Sequence, residues 1–329
     1  MVRNNLAAIT AVGGYVPSTI LDNYQIEKMV DTSNEWILSR TGIKERRILK
    51  DPEKATSYMA VEAIQDLLKN SGIDPSEIDC LVLATSTPDK MLAPTAPTVC
   101  EKAGLVNAWG FDLNAACSGF LYALSTAASL IESGRHKKVI VVGVDTMSRI
   151  IDYTDRNTCI LFGDGAGAVL LEPSQNSGLK DFLLKTDGKG SEFLSIAGGG
   201  SLNPFSKDTL EKGDHYVKQD GKTVFKNAIA AMTATSEELL NRNNLDVADI
   251  NWVVPHQANL RIINAVANNL KVPMEKVLVN IDRFGNTTAA TIPLCLWDFQ
   301  KKFKTGDKLL LTAFGAGFTF GSCYLVWGK

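Results

Sequence analysis

The chain has 329 residues, of which 45% are hydrophobic and 21% charged, and its formal net charge is −2. That length supports a large core or two fused domains, and the balance is ordinary for a soluble globular protein. Near-neutral charge gives no global attraction to nucleic acid or to a membrane surface, and no apolar run reaches membrane-spanning length.

Strand-like and helix-length segments alternate along the chain. Leu81-Val82-Leu83-Ala84 is the first clear apolar run. Asp112 to Asn114 leads into Cys117, a lone cysteine among small residues, and a helix-like stretch follows at Gly119-Phe120. Val139 to Gly143 is the next strand-like run, and Cys159 to Phe162 and Val169 to Leu171 follow it. Gly163 to Gly167 and Gly198 to Gly200 read as turns or loops. Asn251 to Pro255 reads as a strand ending at His256, with a helix starting near Ala258. Phe284 to Thr288 is another turn, Leu309 to Leu311 another strand, and Phe314 to Phe318 a turn between C-terminal strands. This alternation predicts α/β layering around a largely buried sheet.

The two halves echo each other at an offset of about 170 residues. Ile78-Asp79 matches Asp249-Ile250, Lys138 matches Lys308, and the Cys117 turn matches the turn at Asn286. Such register implies a duplicated unit, whose equivalent strand-to-helix turns can meet near a pseudo-twofold axis. The six cysteines show no metal-ligand spacing or CxxC pair. Cys80, Cys159 and Cys323 read as buried core thiols. Free thiols and the lack of a recognisable leader point to a reducing cytoplasm.

A thiol at a helix start feels the positive end of the macrodipole, so the Cys117 pKa is expected to fall and favour the nucleophilic thiolate. Three histidines exist. His136 reads as an exposed turn and His215 lies in a polar stretch, whereas His256 ends a strand, where α/β sheets place ligands. A single histidine is more often a satisfied core or surface residue; its place beside the duplicated turns selects His256. Cys117, His256 and Asn286 then form a chemically coherent set. The cysteine attacks a carbonyl, and a neutral imidazole Nε2–H and an asparagine amide donate to a developing oxyanion. Backbone N–H groups near Cys117 and in Phe314 to Phe318 supply a second oxyanion site. The order Cys, His, Asn also occurs in papain-like hydrolases. Those place the cysteine near the mature N-terminus beside a second cysteine, so acyl transfer is preferred here. The glycines from 163 to 167 lack the following helix of a nucleotide loop and read as a packing turn.

The motifs, taken in order, closely resemble the β-ketoacyl-acyl-carrier-protein synthase III family of the thiolase superfamily. The resemblance covers essentially the whole chain. It rests on Thr32 to Ile37 with Arg40 to Ile43, Ala115 to Phe120, Asp155-Arg156 with Phe162 to Gly167, Val254 to Asn259, and Gly285-Asn286-Thr287. It implies a thiolase-like five-layer αβαβα fold of two pseudo-twofold halves, 1–175 carrying the cysteine and 176–329 carrying the histidine and asparagine. It also implies a cytoplasmic homodimer that needs no cofactor or metal and binds neither nucleic acid nor membrane.

The implied reaction starts type II fatty acid synthesis. An acyl-CoA primer acylates Cys117; malonyl-acyl carrier protein then loses CO2 with help from His256 and Asn286, and its carbanion attacks the acyl group. By resemblance Trp36 and Arg156 sandwich the adenine of CoA with Thr32 at the same end, Asn259 holds the pantetheine arm, Phe314 flanks the decarboxylation site, and Ala316 offers an oxyanion N–H. The acyl-pocket gate falls on Leu92 or Ala93, smaller than the usual Phe, which predicts tolerance of primers longer than acetyl. Lys226 and Arg261 are the basic residues expected to dock the carrier; Asn268-Asn269 replaces a lysine pair, and Gln219 a common Met. Asn286 in place of a second histidine or cysteine separates the chain from elongating synthases and thiolases. The alternatives are a specialised condensing relative in secondary metabolism and, of a different class, a non-catalytic acyl-thioester binder.

Overall fold

The computed structural model describes residues 6–328. Two sheets organise them. The first contains β1 (Leu6–Tyr15), β2 (Cys80–Ala84), β3 (Trp109–Leu113), β4 (Val139–Thr146) and β5 (Asp164–Ser174), in the spatial order β1-β5-β4-β2-β3. The second contains β6 (Gly178–Thr186), β7 (Trp252–Pro255), β8 (Lys308–Gly315) and β9 (Thr319–Val326), in the order β7-β8-β9-β6. In each sheet the central crossover is parallel, β2 to β4 and β7 to β8, and the following hairpin-like neighbour is antiparallel.

Helices cover both faces of both sheets. Outside the first sheet lie α2 (Thr56–Ser71) and α3 (Thr95–Ala103), after the short α1 (Asn34–Thr41). Between the sheets lie α4 (Gly119–Glu132) and α7 (Thr291–Phe299). Outside the second lie α5 (Gly221–Arg242) and α6 (Leu260–Asn269). The layers are therefore αβαβα. The strand alternation explains the stacking: Leu81 and Leu83 pack with Ile64 and Val99, whereas Val82 and Ala84 face Leu124 and Leu296 in the middle. Leu309 and Leu311 join that middle layer, and Leu310 turns outward to Met232 and Ile263. A strand buried on both faces needs an unbroken apolar run, and each fully buried side chain contributes about 1.5–3 kcal/mol.

The duplication is visible in local hydrogen bonding, and it corrects the expected register. Capping boxes at Asp74–Glu77 and Asp246–Asp249 precede β2 and β7. The N–H of Lys138 donates to Asp79, and that of Lys308 to Asn251, at 2.9 and 2.8 Å. Asp79 thus corresponds to Asn251, not Asp249. Ala116 and Thr288 are the positive-φ residues of the two strand-to-helix turns, at φ 48 and 51. Each N–H donates to an asparagine side chain two residues earlier, Asn114 at 3.1 Å and Asn286 at 2.9 Å. Asn286 is therefore the counterpart of Asn114, and Ala289 that of Cys117. A constant offset fails because α4 has 14 residues and α7 only 9.

Two further expectations change. Gly165 and Gly167 belong to β5 and not to a turn; a Cβ on Gly167 would come within 2.7 Å of Leu294 N, so these glycines let α7 lie on the strand. Cys159 ends a short helix, Arg156–Cys159, where a strand was expected. All six cysteines are free and buried, and among the described residues no helix is long and apolar enough to cross a membrane.

The turns dock crosswise. A Cβ on Gly315 in β8 would lie 2.7 Å from Cys117 N, and one on Gly143 in β4 would lie 2.2 Å from Ala289 O. Each turn thus presses on a glycine of the other half's sheet. Gly143→Ala is expected to destabilise the fold by about 3 kcal/mol, since backbone must move to admit the methyl. Urea unfolding checks this; a loss below about 0.5 kcal/mol would show that the contact is soft.

Candidate active site

Cys117 occupies a 3-10 turn, Ala116–Ser118, directly before α4. Two cross-connections hold the turn to the β8–β9 hairpin: Thr319 Oγ1 donates to Ala115 O at 2.7 Å, and Ser118 Oγ to Thr319 O at 2.9 Å. His256 continues the β7 ladder by one residue, its N–H donating to Thr312 O at 2.8 Å. Gln257 beside it is occupied structurally, its Nε2 donating to Pro255 O and Leu278 O and its Oε1 accepting from Asn280 N and Ile281 N. The backbone of Asn286 is clamped by Leu161 O at 2.9 Å and Gly163 N at 3.0 Å. Its Oδ1 accepts from Thr288 N, which leaves the amide nitrogen as its free end.

Cys117, His256, Asn286 and Phe314 line one cavity of about 450 Å³. Its inner end is buried, and its outer end carries the exposed residues Trp36, Arg40, Lys222 and Arg261. A second cavity of about 240 Å³ also reaches Cys117. Met147, Ile150, Phe162, Leu194 and Val217 make it largely apolar, and Ala316 lies on its wall. The thiol therefore stands where a polar-mouthed channel meets an apolar chamber.

Burial dominates the electrostatics. His256 is 1% exposed, and desolvation pushes its pKa down to about 3, so the imidazole is neutral at any physiological pH. Its Nδ1 lies 2.7 Å from Thr291 Oγ1. The lowered Cys117 pKa expected from the helix start is not observed. Burial pushes the thiol up to about 12, the Asp145 carboxylate adds to that, and only its own backbone N–H works the other way. The macrodipole favours the thiolate, but a fully enclosed sulfur loses more hydration than it gains.

The remaining expected residues fall into distinct places. Ser33 caps α1 by accepting from Trp36 N at 3.1 Å, and the guanidinium of Arg156 lies 5.2 Å from the Trp36 ring. Both side chains are exposed at the channel mouth side, within reach of cation–π attraction. Thr32 Oγ1 is buried with no hydrogen-bond partner among the described residues. Asn259 lines the channel while capping α6 and donating to Arg40 O at 3.0 Å. Arg261 lies over Phe225 at 5.2 Å, with Lys226 exposed on the neighbouring turn. Leu92 and Ala93 are exposed, Leu92 at 96%, and neither lines a cavity that reaches Cys117. Within one chain the structure does not bring the expected gate to the site.

Sequence reasoning missed Arg40 and Lys222 at the mouth, Thr288 on the wall of the second cavity, Thr291 against His256 and Asp145 against Thr288. An acid ending the apolar run Val139 to Thr146 was the available signal for Asp145, because a buried carboxylate demands partners. Among the described residues no cluster of His, Cys, Asp and Glu has the geometry to hold a metal.

Comparison with known proteins gives a consistent picture. Residues 111–188 match the family model described as 3-oxoacyl-[acyl-carrier-protein] synthase III, and residues 240–327 match that family's C-terminal model. A β-ketoacyl-[acyl-carrier-protein] synthase III of Bacteroides thetaiotaomicron is 53% identical, over 98% of this chain and 96% of its own. The crystal structure of the 3-oxoacyl-[acyl-carrier-protein] synthase III of Aquifex aeolicus is 41% identical with TM-score 0.90, covering 98% of this chain and 100% of that one. A priming β-ketosynthase from a polyketide biosynthetic pathway is 35% identical with TM-score 0.91, covering 98% and 96%.

The neutrality of His256 is directly testable. Its ring resonances in an NMR titration are expected to stay constant from pH 8 to pH 5, since its folded pKa is about 3. A midpoint near the ordinary histidine value of about 6.5 would contradict the desolvated site.

Proposed function

The chain belongs to the 3-oxoacyl-[acyl-carrier-protein] synthase III family, and from that premise we propose that its site condenses an acyl-CoA primer with malonyl-acyl carrier protein, using Cys117, His256 and Asn286. The observation that carries this reading is the meeting of a channel and an apolar chamber at one enclosed thiol. A family member of this kind is a condensing acyltransferase that initiates fatty acid synthesis. The assignments below are our reading of how these residues perform that chemistry.

In the first step Cys117 Sγ attacks the primer's thioester carbonyl. The new C–S bond forms, the bond to CoA breaks, and the thiol proton ends on the departing CoA sulfur. The N–H groups of Cys117 and Ala316 face the carbonyl oxygen as its charge develops. A thiol held up to about 12 is protonated while the site is empty, so deprotonation accompanies attack. The acyl chain then occupies the chamber lined by Met147, Ile150 and Val217.

In the second step the malonyl thioester enters the vacated channel. Its C–C bond to the carboxylate breaks, CO2 leaves, and the electron pair forms an enolate. Asn286 Nδ2 and His256 Nε2–H donate to the enolate oxygen; the Nε2–H tautomer requires Thr291 Oγ1, 2.7 Å from Nδ1, to turn its one hydroxyl proton from Thr288 O to that nitrogen. Phe314 walls the carboxylate side, where an apolar surface favours loss of charge as neutral CO2. The enolate carbon attacks the acyl-Cys carbonyl, Cys117 leaves as thiolate and takes up one proton, and the 3-ketoacyl-carrier product departs.

Trp36 and Arg156 are assigned to the adenine of CoA, Thr32 to the same end, and Asn259 to the pantetheine arm. Lys226 and Arg261, joined by Arg40 and Lys222, give the mouth the positive charge that an acidic carrier or a CoA phosphate requires. We read the halves 1–175 and 176–329 as the two units, dividing in the turn between β5 and β6. A homodimer fits the edge strand β3, which leaves Trp109 50% exposed and stacked on Phe111. It also fits Leu92, which can gate a pocket only across such an interface. No cofactor is assigned, and the cytoplasm is the proposed location. The polyketide-type priming relative keeps a specialised condensation as the second reading.

Three outcomes are expected. Incubation with acyl-CoA adds one acyl mass to the wild type and none to Cys117→Ala, read by intact-protein mass spectrometry; an adduct on the variant would remove Cys117 from its role. Asn286→Ala should still acylate but lose CO2 release by about 10²–10³-fold, and normal condensation would refute its donor role. The apolar chamber should accept isobutyryl- and octanoyl-CoA as well as acetyl-CoA; strict acetyl preference in steady-state kinetics would contradict that.

A further inference from the structure

Asp145 is a buried carboxylate that the steps above do not use. It is the last residue but one of β4 and is 0% exposed. It accepts from the hydroxyls of Thr85 and Thr87, both at 3.1 Å, and from the N–H groups of Ser86 at 2.7 Å and Ala289 at 3.1 Å. Thr288 Oγ1 donates to Oδ2, the oxygen that also accepts from Ala289 N, while the other three donors meet Oδ1. A carboxylate without a cationic partner, buried at this depth, is retained only when its acceptors are filled this completely.

Thr288 is itself unusual. A β-branched residue at φ 51 is a backbone outlier, of the kind that costs about 1–3 kcal/mol and persists where surroundings impose it. It touches the decarboxylation set twice. Its N–H donates to Asn286 Oδ1 at 2.9 Å, and its carbonyl lies 3.0 Å from Thr291 Oγ1, the hydroxyl that meets His256 Nδ1 at 2.7 Å.

The duplication provides an internal control. In the first half the same turn uses Ala116 at φ 48. The strand register pairs Cys80 with Val139 and Trp252 with Leu309, which makes Gly315 the positional counterpart of Asp145. At these two positions the first turn has neither hydroxyl nor carboxylate, and the hydroxyls of Thr319 and Ser118 tie it to the β8–β9 hairpin instead. Only the Asn286 turn is braced by a hydroxyl–carboxylate pair, and that pair reaches across the halves from Thr288 to Asp145.

We propose that Asp145 and Thr288 are positioning residues for the carbanion-forming half of the reaction: the carboxylate holds Thr288, and Thr288 holds the Asn286 amide nitrogen toward the channel. This rests on the decarboxylating role assigned to Asn286 above.

The test separates the two half-reactions in Thr288→Ala, Thr288→Ser and Asp145→Asn. Cys117 acylation by acetyl-CoA is followed by mass spectrometry, and CO2 release from malonyl-acyl carrier protein by steady-state kinetics. Thr288→Ala should fold, because Ala116 occupies the equivalent conformation. Its kcat for CO2 release should fall at least about tenfold with KM within about twofold, a loss like that of one displaced oxyanion donor. Any fall in its acylation rate, which a wall residue of the chamber can cause, should stay well below that loss. Thr288→Ser should restore kcat, and Asp145→Asn should lower it in the same way. Wild-type kcat in Thr288→Ala overturns the proposal, as does an equal fall in both half-reactions, which marks a merely structural role. If Thr288→Ala is unfolded by circular dichroism, Asp145→Asn decides by the same criteria; if both are unfolded, the pair is structural and the proposal falls. Failure of the functional reading looks different: the wild type would release no CO2, or Asn286→Ala would release it at the wild-type rate.

Discussion

Ala116 and Thr288 hold two turns at positive φ, and neither turn is supported by its own half alone. The Cys117 turn rests on Gly315 of β8 and is tied to Thr319; the Asn286 turn rests on Gly143 and Asp145 of β4. Each left-handed alanine or threonine costs about 1–2 kcal/mol locally. The exchange of turns between halves offsets that cost by burying both helix starts in the middle layer. Cys117 and Asn286 thus share one cavity because the sheets are stacked, and separating the sheets would dissolve the site with the core.

Depth then sets the chemistry. The same enclosure that excludes water raises the Cys117 thiol and lowers the His256 imidazole, so the empty site carries a protonated sulfur beside a neutral ring. Such a site suits reactions whose charge appears only during the chemical step. Neutral donors fixed in a low-dielectric setting stabilise an enolate more than they stabilise the ground state. Charge is kept at the mouth, on Arg40, Lys222 and Arg261, where long cationic side chains remain hydrated.

The layered fold was legible because period-two burial and continuous apolar strands are written in residue type: Leu81, Val82, Leu83 and Val139 to Val142 read directly as doubly covered strands. The duplication was legible, but its register was not. Identity matching aligned Asp79 with Asp249 and Cys117 with Asn286, whereas hydrogen bonding aligns Asp79 with Asn251 and Asn114 with Asn286. Pattern matching cannot see that a shorter α7 absorbs residues in the middle of the repeat. The glycines of β5 looked like a turn because the reason for them, the approach of α7, lies more than a hundred residues away. The thiol's environment was misjudged because a helix start is visible in sequence and enclosure is not. Thr288 and Asp145 were missed for a related cause: each looks ordinary until the chain brings them together.

The central claim is that Cys117 carries an acyl chain between the two cavities while Asn286 and His256 remain free for the second reactant. A crystal structure of the protein after exposure to a medium-chain acyl-CoA tests it most directly. Electron density should run continuously from Cys117 Sγ into the chamber of Met147, Ile150 and Val217, with the channel to Trp36 empty of acyl chain. Density attached to another cysteine, or an acyl chain lying in the channel against His256 and Asn286, would contradict it.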